Sequence, residues 1–146
     1  MLESLRLVKK LELSQADKAI AKLLDRKKLA GAVRSAAYDT LAALSTERAV
    51  GELLDAALQD TNAVDALRLC TPAGAAALLP ALELADRERL VLAYDAVVAI
   101  CSIGEPKPTE FWRGGDETSQ QAEIDRIKVR ISTCVQSWSE SRNQWD

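Results

Sequence analysis

The sequence predicts an all-α fold assembled from short helix hairpins and closed by one long C-terminal helix. Three observations lead there. Hydrophobic residues make up 48% of the 146-residue chain but aromatics only 4%, and the surplus is Ala and Leu, which favour helix. Apolar residues three and four apart recur from Leu5 to Trp138, whereas the period-two alternation of a half-buried strand is absent. The stretch 36–58 (AAYDTLAALSTERAVGELLDAAL) reads as two amphipathic helices joined at a cap, and much of the chain echoes that unit.

The chain is long enough to form one domain that buries about 70% of its unfolded surface. Within it, hairpins are expected over 2–103, a loop over 104–117 and the last helix over 118–141. The first helix is placed at 2–11, with Leu2, Leu5 and Val8 inward. The second starts at Ser14 and runs to about Lys28, with Ile20, Leu23 and Leu24 inward. In the central unit, Ser45 or Thr46 can offer a side-chain oxygen to the unbonded N–H groups of the next helix, and Glu47 suits its positive end. Residues 19–25 (AIAKLLD) match 49–55 (AVGELLD) at a shift of 30. A second echo covers Ala63 to Cys70, then Thr71-Pro72 as a cap followed by proline at the first helical position, where its missing N–H costs nothing. Leu78-Leu79 then correspond to Leu53-Leu54, and Pro80 should kink or break this helix. A third echo, 93–100 (AYDAVVAI), repeats 37–44 (AYDTLAAL) at a shift of 56. After Gly104 the pattern stops: Pro106, Pro108, Gly114 and Gly115 predict irregular chain around Phe111-Trp112-Arg113. Thr118-Ser119-Gln120-Gln121 then reads as a capping box, and Ile124, Ile127, Ile131, Cys134, Val135 and Trp138 form one stripe. The expected core is Leu5, Ile20, Leu23, Leu24, Ala37, Leu41, Leu44, Val50, Leu53, Leu54, Leu67, Leu78, Leu79, Val97 and Ile100.

Ala32-Val33-Arg34-Ser35-Ala36-Ala37, followed by Leu41 to Leu44, Arg48-Ala49-Val50 and 53–60 (LLDAALQD), resembles the short HEAT repeats first noted in phycobilin lyase subunits. The match is good over 32–60, partial over 5–31 and 62–103, and does not reach 104–146. The resemblance implies a short right-handed α-solenoid of antiparallel hairpins that serves as a protein-interaction scaffold. It carries over no catalytic residue, because the repeat's characteristic positions are packing positions.

Composition narrows the function. The chain has no histidine, so Ser-His-Asp, Cys-His and His-ligated metal chemistry are excluded together. Cys70, Cys101 and Cys134 lie about thirty residues apart, a spacing that fits no metal site and reads as buried thiols in a cytoplasmic or other reducing compartment. The N-terminus lacks the apolar block of a signal peptide, and no run approaches the ~18 apolar residues of a membrane span. Neither a cofactor, a metal nor membrane insertion is therefore expected. Net charge is −3, divided as +5 over residues 1–34, −7 over 35–105 and −1 over 106–146.

The function expected is a non-catalytic protein–protein interaction scaffold, or a small structural subunit of a larger assembly, that binds a protein partner. One alternative is a lyase-like or chaperone-like subunit, which the resemblance keeps open. Another is nucleic-acid binding through the basic N-terminal hairpin, which the overall acidity opposes. Candidate partner residues are Phe111, Trp112, Arg113 and Trp145, since Trp and Arg dominate interface hot spots, with Lys18, Lys22, Lys27 and Lys28 as a basic set. Two readings stand for the aromatics: they cover the chain's own open end, or they anchor a partner. Asp39 and Asp95, each preceded by Tyr, are read as structural, because equivalent positions two layers apart stand roughly 20 Å from each other.

Overall fold

The computed structural model describes residues 15–26 and 28–143, and these contain helices but no strand. The helix α1 covers 15–24 of the described chain. It is followed by α2 (Gly31–Leu44), α3 (Glu47–Ala57), α4 (Thr61–Leu67), α5 (Pro72–Ala77), a single 3₁₀ turn (Leu79–Ala81), α6 (Arg87–Cys101), α7 (Thr109–Gly114) and α8 (Glu117–Asn143). The helix placed at 2–11, and Leu5 with it, lies outside the described residues.

Local chemistry explains most boundaries. Thr46 accepts a hydrogen bond from the Ala49 N–H at 3.1 Å and so caps α3, with Glu47 in its first turn. Thr46 also donates to the buried Asp17 carboxylate, which lies 3.6 Å from the Arg48 guanidinium. This contact fastens α1 to the start of α3. Ser45 takes the left-handed conformation that ends α2 (φ 51°), and Ser102 ends α6 the same way (φ 49°). Asp60 caps α4 and Asp86 caps α6 through their carboxylates. Pro72 occupies the start of α5, and the helix stops before Pro80, which falls in the 3₁₀ turn; its ring and missing N–H cannot continue an α-helix.

Three boundaries differ from expectation, the first being α1, which ends at Leu24 rather than near Lys28. Segment 104–117 is not a plain loop: residues 109–114 wind into α7 between Pro108 and Gly115. The last helix begins at Glu117, and its first turn is held by Asp116, which accepts from the Ser119 backbone N–H at 3.4 Å, rather than by Thr118.

Packing centres on α3 and α6: α3 meets α2, α4, α5 and α6, while α6 meets α3, α4, α5, α7 and α8. Ala37, Leu41, Val50, Leu53, Leu54, Leu67, Leu78 and Val97 are buried, and Ile20, Leu24, Leu44, Leu79 and Ile100 pack on them half-buried. Leu23 is half-buried without joining that cluster. The first half of α8 lies on α5 and α6, burying Ile124, Ile127 and Ile131. Beyond Ile131 no described residue of α8 is buried, and Trp138 stays half-buried with the Arg142 guanidinium 4.7 Å from its ring centre.

Candidate functional site

Helix α7 is too short to be stable alone, so its position must come from tertiary contacts. Trp112 supplies the largest. Its side chain is fully buried and meets the Tyr94 ring edge-on at 5.0 Å, while Phe111 stands edge-on to it at 4.9 Å. The Lys107 ammonium sits 5.6 Å from the Phe111 ring centre. Gln120, buried on α8, donates through Nε2 to the carbonyls of Phe111, Trp112 and Gly115 at 2.9 to 3.3 Å. It thereby satisfies the carbonyls that a helix end leaves unbonded. Its Oε1 accepts from Arg87 at 3.3 Å, tying in the start of α6.

Gly115 permits this closeness. A side chain there would overlap the Phe111 carbonyl oxygen and crowd Gln120 Nε2. Gly115→Ala is expected to displace the end of α7 and cost about 1–3 kcal/mol, read as an earlier thermal melt; a melt identical to wild type would show that the turn has slack.

A polar latch lies on the other side of Tyr94. Its hydroxyl donates to Glu123 Oε2 at 2.7 Å and accepts from the Lys107 backbone N–H at 2.6 Å. Glu123, buried, also takes both Nε and Nη2 of Arg126 at 2.7 and 2.9 Å, and Arg126 donates onward to the carbonyls of Gly104 and Glu105. Burial, helped by the bond to Glu123, pushes the Tyr94 hydroxyl up to about 12. All these groups are mutually satisfied, so the latch fixes the 104–107 chain to α6 and α8. Tyr38 repeats the motif: buried on α2, it donates to Asp60 Oδ2 at 3.0 Å. Both tyrosines are core residues with the hydroxyl engaged.

Between the end of α3, the start of α6 and α7 runs an open groove of about 520 Å³. Leu58, Val91, Leu92 and Trp112 supply apolar lining, and Arg87, Arg113 and Glu88 supply charge of both signs. Leu58 is 40% exposed, and Arg113 is exposed with no ion pair among the described residues. The Trp112 indole N–H is buried without a hydrogen-bond acceptor, a state that costs about 1–3 kcal/mol.

The sequence candidates thus separate. Trp112 is an internal residue that packs on Tyr94 of α6 and also lines the groove. Phe111 is half-buried beside it, and Arg113 alone of the three is exposed. Lys18, Lys22 and Lys28 are exposed around α1 and do not line the groove; Lys27 and Trp145 lie outside the described residues. Asp39 is exposed, while Asp95, raised above the usual carboxylate range by burial against the pull of Arg68, lies 4.0 Å from that guanidinium. Leu58, Gln120 and Glu123 were not singled out by sequence. Gln120 had one signal, its place in the Thr118 to Gln121 run.

Among the described residues no group of His, Cys, Asp and Glu could hold a metal ion, and no helix is long and apolar enough to cross a membrane. Comparison with known families, curated proteins and solved structures gives no match.

Proposed function

We propose that this chain is a non-catalytic interaction module, a short right-handed α-solenoid of HEAT-like hairpins, that binds a protein partner through the groove between α3, α6 and α7. The observation that carries the reading is the groove itself: exposed Leu58, the apolar side chains of α6 and Trp112 stand beside an Arg113 free among the described residues. An apolar side chain of the partner would cover Leu58 and Leu92. A neighbouring carbonyl or carboxylate would engage Arg113, and small rearrangement of α7 would let it reach the indole. The sequence echoes at shifts of 30 and 56 support the repeat reading.

The double substitution Leu58→Asp, Arg113→Glu tests it. Both side chains are solvent-facing, so the thermal melt should stay within a few degrees of wild type. Recovery of a partner from native extract should fall by roughly tenfold or more, the effect of losing one interface hot spot. Unchanged recovery with an unchanged melt would remove the groove from consideration.

A further inference from the structure

Two cysteines distant in sequence come together in the fold. Cys101 is the last residue of α6 and Cys134 lies in the outer half of α8; both line one open cavity of about 470 Å³, together with Ser102, Arg130 and Ser137. Both are half-buried free thiols that line the same cavity. The α6 and α8 helices are already packed on each other, so joining these residues needs no new docking of elements. Cys70 is the internal contrast: buried just past α4, with its sulfur turned to the Ala66 carbonyl of that helix.

We propose that Cys101 and Cys134 form a dithiol site that peroxides oxidise to an intramolecular disulfide, stapling the end of α6 to α8. The Cys134 sulfur, in the cavity that Arg130 also lines, attacks one peroxide oxygen. The O–O bond breaks, Cys134 becomes a sulfenic acid, and the departing hydroxide takes the thiol proton to leave as water. Cys101 then attacks the sulfenic sulfur: the S–S bond forms, the S–O bond breaks, and hydroxide leaves with the Cys101 proton as a second water. One peroxide is reduced to two waters while two thiols lose two electrons. Burial, and then Cys134, push the Cys101 thiol up to about 12, which makes it the poorer first nucleophile, since the thiolate is the reactive form.

The test uses the full-length protein, reduced and then exposed to hydrogen peroxide under native conditions. Remaining thiols are alkylated, and the digest is read by mass spectrometry. A Cys101–Cys134 cross-linked peptide with Cys70 left alkylatable is the expected result, accompanied by a rise in melting temperature of several degrees, which a reductant reverses. Cys101→Ser and Cys134→Ser should each abolish the cross-link and the shift, and Cys70→Ser should preserve both. Three alkylatable thiols after peroxide, sulfinic acid at either position without cross-link, or a disulfide joining two molecules would each overturn the proposal.

Discussion

Replacing Trp112 by alanine is expected to lower the stability of the protein by about 3–5 kcal/mol, the usual cost of emptying a fully buried aromatic site. For a chain of this size the melting temperature should fall by roughly 10 °C. The ring joins α7 to Tyr94 on α6 and supports Phe111, so its loss leaves a cavity where two elements meet and removes the largest contact that holds a six-residue helix. Trp112→Phe separates the contributions. It keeps an aromatic body while removing the indole N–H that has no acceptor, and it should cost less than about half as much as alanine. Equal melts for wild type and Trp112→Ala would mean that α7 is an ornament on the fold and not part of its core.

Glu123→Ala is expected to cost about 1–3 kcal/mol, because it leaves the buried Tyr94 hydroxyl without its acceptor, while Arg126, 33% exposed, keeps access to water. The Tyr94 hydroxyl would lose its acceptor, and Arg126 would keep only its bonds to the 104–105 carbonyls. Acid should reveal the same interaction. Burial by itself would raise the Glu123 carboxyl, but the bonds from Arg126 and Tyr94, with the charges of Arg126 and Lys107, outweigh it and hold the group below its ordinary value of 4.5. With the folded value below the unfolded one, the unfolded chain binds more protons across that window. The contribution of Glu123 is therefore complete above the ordinary carboxyl range and is lost as pH falls through the lowered folded value. Melts of wild type against Glu123→Gln should differ most near neutral pH and converge as pH falls through the lowered folded value of Glu123; a gap that widens in acid would contradict the assignment.

Features set by neighbouring residues were legible in the sequence. The cap at Thr46, the end of α2 at Leu44, the proline start of α5 and its break before Pro80 each depend on residues within one turn, and the apolar spacing of Ile124, Ile127 and Ile131 identified the buried face of α8. Helix α7 was not legible, since prolines and glycines crowd its ends and six residues give too little periodicity. Its prolines precede the helix and its glycines end it, which converts apparent breakers into boundaries. What holds it there, the Trp112 ring and the Gln120 amide, acts across the fold. The same holds for the Tyr94–Glu123–Arg126 latch and for the meeting of Cys101 with Cys134, where residues far apart in sequence are joined only by the packing of α6 on α8. Trp112 was recognised as a residue that must cover something, and the fold shows that it covers α6. The groove followed from that packing: Leu58 carries no sequence signal of its own, and it matters because α7 stands opposite.

The proposed role of that groove can be tested at the residue level by placing a photo-crosslinking side chain at position 58, with position 69 as the control. Leu69 is 73% exposed and lies beyond the end of α4, outside the groove lining. In native extract, irradiation should give a discrete adduct from position 58 that disappears when Arg113→Glu is added, and none from position 69. No adduct at 58, or the same adducts from both positions, would contradict a partner-binding groove between α3, α6 and α7.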